Sequence, residues 1–202
     1  GGVGKVRDTL RKGRTPRAVW QAIEKEANHF RLFDDRKPFL QDRDVRDKKR
    51  LSAGSLFAEF ASGTNIAHFH HGGDKEMRLC LRCATIGLLR TGPWTQSGGA
   101  GKTPSVHGAP PIMAIASGEN LAGTLGLNLI SLNRKRGRAK WSGHFAPSDP
   151  KAAIPYLEAF TWNPRRIHLG QPEQAGVCWR CGRTGVAAIG PIVYLKNEDT
   201  RK

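Results

Sequence analysis

Leu79-Cys80-Leu81-Arg82-Cys83-Ala84 and, far downstream, Cys178-Trp179-Arg180-Cys181-Gly182 decide how this chain must fold. Each stretch carries a Cys-x-x-Cys pair, and these pairs hold all four cysteines of the 202-residue sequence. Two-residue spacing lets both thiolates of a pair point at one ion, and two pairs complete a tetrahedral site. Gly182, directly after Cys181, suits a knuckle in which the backbone turns tightly beneath the metal. Ninety-four residues separate Cys83 from Cys178. This is therefore no compact finger, and a structural zinc would pin two distant segments together. The alternatives are two unrelated reduced pairs or a redox couple, although no thioredoxin-like βαβ frame surrounds either pair. A closed four-thiolate site leaves no open coordination position for metal catalysis.

Working outward, Thr15-Pro16 reads as a helix start, with Thr as N-cap and Pro in the first turn. Val19, Ile23, Ala27 and Phe30 recur at helical steps, predicting an amphipathic helix over 16–33 that Lys37-Pro38 follows as a break. Residues 42–50 are a run of mixed charge expected to be solvated. A second helix is predicted over 80–90, stopped at Gly92-Pro93. Ile112 to Ala116 reads as a short strand. A third helix is expected from Ser117, with Leu121, Leu125, Leu129 and Leu132 stacked on one face. Residues 154–169 mix aromatic and strand-like positions, and 186–195 read as a final strand. The class is α+β, an irregular, loop-rich domain pinned by a four-cysteine zinc site.

The chain carries 33 Lys+Arg against 17 Asp+Glu, a formal charge of +16, with a pI near 10.4. Such a balance points to a polyanionic partner, nucleic acid before membrane surface. No apolar run approaches the roughly 18 residues of a spanning helix, and no signal peptide opens the chain, so a cytoplasmic protein is expected. Residues 1–15, rich in Gly, Lys and Arg, read as a flexible basic segment. The start at Gly1-Gly2-Val3-Gly4, without Met, reads as a piece of something larger.

Gly101-Lys102-Thr103 resembles the end of a phosphate-binding loop, but Gln96 stands where that motif needs glycine, and Pro93-Trp94 replace the preceding strand. Gly1-Gly2-Val3-Gly4-Lys5 lacks the Ser/Thr. Gly98-Gly99-Ala100-Gly101 can bring backbone N–H groups close to a phosphate or a base edge, with Lys102 adding charge. The plain alternative is a surface loop. His68-Phe69-His70-His71, followed by Asp74 and Glu76, reads as a surface or nucleic-acid contact, with a metal-dependent nuclease as the catalytic alternative. No Ser/His/Asp or Cys/His set stands out.

Several segments in order resemble one family. They are Arg36-Lys37-Pro38-Phe39-Leu40-Gln41, Ser62-Gly63-Thr64-Asn65-Ile66-Ala67, the first cysteine stretch, the glycine loop into Val106-His107-Gly108-Ala109-Pro110-Pro111, Leu125-Gly126-Leu127-Asn128-Leu129, Phe160-Thr161-Trp162-Asn163-Pro164-Arg165-Arg166-Ile167, and the second cysteine stretch. Over about residues 16–200 the chain is similar to CasA, the large subunit of the type I-E CRISPR Cascade complex, an RNA-guided surveillance assembly. The resemblance implies that residues 16–202 are part of that family's large N-terminal domain. It also implies a DNA-recognition role without catalysis: a protospacer-adjacent motif on double-stranded DNA is checked from the minor groove. The family's glycine loop matches Gly98, Gly99, Ala100 and Gly101 beside Lys102, with Ala100 departing from glycine. Its loop after Thr-Asn matches His68, Phe69 and His70. Its lysine finger falls at Lys196, with Lys202 as the other candidate. Cys80, Cys83, Cys178 and Cys181 match its cysteines. The implied partners are duplex DNA, the guide RNA-containing complex and a helicase-nuclease recruited in trans, with no membrane.

Minor-groove readout is degenerate, which suits a permissive motif check, and guide pairing supplies the remaining discrimination. Two other classes stay open: a zinc-stabilised nuclease using His68, His70 and His71 with Asp74, and a basic scaffold gripping RNA.

Overall fold

The computed structural model describes residues 2–57, 60, 77–94, 114–130, 137, 139 and 155–196. Among these residues the α-helices are α1 (Val3–Arg11), α2 (Arg17–Lys25), α3 (Leu81–Trp94), α4 (Leu121–Asn128) and α5 (Tyr156–Thr161). The strands described are β1 (Arg50–Leu51), β2 (Leu79–Cys80), β3 (Arg165–His168), β4 (Glu173–Gly176), β5 (Val186–Ile189) and β6 (Ile192–Lys196). The mixture bears out the α+β class.

The strands form two small antiparallel sheets, ordered β1-β6-β3 and β2-β5-β4. Their central strands are consecutive. The single strand expected over 186–195 is instead broken at Gly190-Pro191, where proline has no N–H to continue a ladder. β5 and β6 thus serve different sheets. One apolar cluster joins both sheets to α3: Leu56, Phe57, Leu79, Ala84, Leu88, Ile167, Leu169, Ile189 and Ile192 are all buried within it.

The segment 39–45 is strapped to β3. The Asp42 N–H donates to the Ile167 carbonyl at 2.7 Å, and the Asp42 carboxylate accepts from Arg166 Nε at 2.6 Å. Gln41 is used twice: its Nε2 donates to the Leu32 carbonyl at 2.6 Å, and its Oε1 accepts from the Leu169 N–H at 2.8 Å. The charged run 42–50 is therefore not wholly solvated, and Val45 is 1% exposed.

Three helix readings change. The helix expected over 16–33 ends at Lys25. Backbone torsions at Glu26 (φ −95°, ψ 1°) pass the chain into a 3-10 turn over Ala27–Phe30. Pro16 rather than Thr15 occupies the N-cap position, with no side-chain cap. α2 buries no residue, and Trp20 and Ile23 are exposed.

The helix expected from Ser117 starts at Leu121, where Asn120 Oδ1 accepts from the Gly123 N–H at 2.9 Å, an N-cap of the favoured type. Its leucines do not form the buried stripe: Leu121 and Leu125 are 75% and 53% exposed. Gly123 and Gly126 are the buried residues, and Gly126 meets α1. A Cβ on Gly126 would stand 2.6 Å from the Arg11 backbone nitrogen, so the two helices meet closer than side chains allow. Residues 3–11 of the opening segment, expected to be flexible, thereby gain a helix with Leu10 buried. Residues 114–116 of the expected strand are irregular, and Ile115 is exposed.

The helix expected over 80–90 runs on to Trp94, with Pro93 in its last turn. Among the described residues, no helix is long and apolar enough to cross a membrane.

Candidate metal centre

The four cysteines arrive from separate elements. Cys80 closes β2 and pairs with Ala188 of β5, while Cys83 lies in the first turn of α3. Cys178 and Cys181 sit in the turn after β4. Three backbone bonds shape that turn. The Cys178 N–H donates to the Arg183 carbonyl at 2.8 Å, the Gly182 N–H to the Cys178 carbonyl at 2.8 Å, and the Trp179 N–H to the Arg78 carbonyl at 2.9 Å. The last bond ties the knuckle to the residue entering β2. Gly182 has φ +71°, the left-handed geometry that the knuckle reading requires of it.

All four Sγ atoms lie within 4.8 Å of one another, with Cys80, Cys83 and Cys178 buried and Cys181 exposed. Cys80 and Cys181 are 3.8 Å apart. A tetrahedron with Zn–S bonds of about 2.3 Å has edges of about 3.8 Å, so this separation suits two thiolates on one ion. It is far beyond the roughly 2.05 Å of a disulfide, and all four cysteines are free.

The protonation pattern agrees with a cation-binding set. Burial and the neighbouring thiols push Cys83 up to about 12, and burial raises Cys80. Burial also opposes ionisation of Cys178, but the N–H groups of Cys80, Cys181 and Arg180 and the Cys181 thiol outweigh it and bring Cys178 down to about 6. One thiolate is thus prepared, and a divalent cation would supply the charge needed to ionise the rest. The donor set fits zinc.

One anchor of the knuckle escaped sequence reading. The Arg180 guanidinium lies 4.7 Å from the Phe57 ring centroid, and Arg90 reaches the same ring at 5.3 Å. Phe57 is buried, so this cation–π contact fastens the metal turn to the core. Spacing cannot announce a contact between residues 57 and 180.

The other predicted site residues fare differently. His68, Phe69, His70 and His71, and Gly98, Gly99, Ala100, Gly101 and Lys102, lie outside the described residues, as does Lys202. Lys196 ends β6, in register with Arg165 of β3. Arg165 is itself buried, stacked 5.9 Å from the Tyr194 ring centroid, and burial lowers its pKa.

The model of one family, CRISPR-associated protein Cse1, matches residues 3–194. The chain belongs to the Cse1 family. A curated CasA/Cse1 protein of Thermus thermophilus is 28% identical over 189 residues, covering 90% of this chain and 34% of that protein. The crystal structure of CasA from Thermus thermophilus superposes with a TM-score of 0.60 at 18% identity, over 96% of this chain and 38% of that one. This Cse1-family chain thus spans about a third of the length of these relatives. At that identity the superposition shows a shared fold.

Proposed function

We propose that this chain is the DNA-recognition part of a Cse1-type subunit in an RNA-guided CRISPR surveillance complex of the Cascade kind. Residues 16–202 form part of the family's large N-terminal domain. The chain checks the protospacer-adjacent motif of duplex DNA from the minor groove, and it helps recruit a separate helicase-nuclease. Its role is recognition rather than catalysis, and its place is the cytoplasm. The observation that carries this reading is the family match across residues 3–194.

Physical chemistry supports the same reading. A charge of +16 gives salt-dependent affinity for duplex DNA. Gly98, Gly99, Ala100 and Gly101 can lay bare backbone against a groove, with Lys102 at a phosphate. His68, Phe69, His70 and Lys196 provide the remaining contacts. Zinc on Cys80, Cys83, Cys178 and Cys181 is structural. It joins β2 and α3 to the knuckle and leaves no open coordination position.

The test is duplex binding by the protein assembled with its guide-bearing complex. Every two- and three-letter motif is scanned beside one matched target at fixed salt. A sharp motif dependence, lost in Gly99→Asp, is expected. Flat affinity across all motifs overturns the reading.

A further inference from the structure

The knuckle that closes the metal site displays an aromatic ring to solvent. Trp179 stands between Cys178 and Cys181 and is 50% exposed. Its backbone is held by the N–H bond to the Arg78 carbonyl at 2.9 Å, and the turn around it is fixed by the four converging thiols and by Arg180 over Phe57. Half of the indole is therefore open to a partner, on a turn whose backbone is hydrogen-bonded.

The surroundings are cationic. Residues 77–94 contain Arg78, Arg82 and Arg90 and no Asp or Glu; residues 177–196 contain Arg180, Arg183 and Lys196 and again no Asp or Glu. Of these, Arg78, Arg82, Arg180 and Arg183 fall within two residues of a cysteine ligand. Arg82 and Arg183 are exposed beside the ligands. Among the described residues, Glu173 pairs with Arg78 at 2.6 Å.

We propose that Trp179 is a stacking platform for an unpaired base of a single-stranded nucleic acid, with Arg82 and Arg183 taking the flanking phosphates. A base in a duplex has no free face to offer an indole, whereas an unpaired base does, and stacking on an aromatic ring tolerates any sequence. Charge complementarity selects the polyanion over an apolar protein partner. The hydrogen-bonded turn means that little backbone freedom is lost on binding. This deepens the recognition reading and rests on it for the origin of an unpaired strand. The motif check is assigned to other residues, Gly98, Gly99, Ala100 and Gly101, and is read by a different assay.

The experiment uses the full chain with metal bound and single strands of DNA or RNA carrying 5-bromouracil. Photo-crosslinks are mapped by mass spectrometry, and affinity is measured as a function of salt. A crosslink on the peptide containing Trp179 is expected. Trp179→Leu, which keeps apolar bulk but removes the π-face, is expected to weaken binding by roughly ten-fold while metal content stays unchanged, and Trp179→Phe to restore most of it. Arg82→Gln with Arg183→Gln is expected to lower the salt slope by about 1.4. The stronger of the DNA and RNA arms identifies the strand. Unchanged single-strand affinity in Trp179→Leu overturns the proposal, as does a crosslink confined to other peptides. Motif dependence on duplexes is scored separately. Its loss in Gly99→Asp with Trp179 crosslinking intact, or the reverse, shows which of the two readings has failed.

Discussion

The Sγ atoms of Cys80 and Cys181 stand 3.8 Å apart across 101 residues of sequence. That separation belongs to two ligands of one ion, and it ties β2 to the knuckle at the edge of the apolar cluster in which Cys80, Cys83 and Cys178 are buried. Metal binding and folding are then coupled, because the unfolded chain has no preformed site. One zinc per chain is expected by elemental analysis, with none retained by Cys83→Ser. Chelation is expected to destabilise the fold by several kcal/mol, seen as a fall in melting temperature that added zinc reverses. A reduced, metal-free chain that melts identically with and without chelator would contradict this.

Gly126 governs a second contact. With 2.6 Å from a notional Cβ to the Arg11 nitrogen, and 2.8 Å to the Leu10 Cβ, any side chain must push α1 away. Gly126→Val is expected to cost about 1–3 kcal/mol where α1 meets α4, as overpacking does. Hydrogen exchange should then quicken over residues 3–11, while zinc content stays unchanged. Unaltered protection of α1 would show that the helices do not meet there.

Asp42 acts on both sides of the strap against β3. Its carboxylate takes the Arg166 Nε at 2.6 Å and also caps the following turn through the Asp44 N–H at 2.9 Å. The carboxylate side chain is 7% exposed, so its loss leaves Arg166 facing a largely desolvated gap. Asp42→Ala is expected to cost about 3 kcal/mol in denaturant unfolding, and more than Asp42→Asn, which keeps the cap. A double-mutant cycle with Arg166→Ala should return a coupling of about 1 kcal/mol or more.

Much of the metal site was legible because thiol spacing is local: two residues between ligands, and a glycine behind the last, suffice to announce a knuckle. The longer-range parts were not. Leu121 and Leu125 have helical periodicity, yet they face outward, because Gly126 lets α1 approach the opposite face more closely than leucine could. The opening segment looked too polar to order, since its partner is that glycine face rather than a stripe of apolar residues. Gln41 carries no signature at all. Its two bonds, to Leu32 and Leu169, exist only once β3 lies beside it. The break at Gly190-Pro191 could have been read from proline's missing donor, but that two successive strands serve different sheets is a property of the partners β2 and β3.

His168 supplies a pH dependence whose sign is fixed. Burial lowers its pKa, and Arg50, Arg46 and Arg43 lower it further against a smaller opposing pull from Asp42. Its Nδ1 is buried with no hydrogen-bond partner among the described residues. The folded chain therefore binds a proton at His168 less readily than the unfolded chain, where the imidazole titrates near its ordinary value of about 6.5. Above that value both states are neutral at this position, and stability does not depend on it. As pH falls through about 6.5 the unfolded state gains the proton first, so stability is lost on acidification until the folded-state pKa is passed. Unfolding in urea at a series of pH values should show this loss, and His168→Gln should flatten the curve as pH falls below about 6.5. An unchanged slope in that variant would place the acid sensitivity elsewhere, and a slope of opposite sign would mean that His168 is charged in the folded chain.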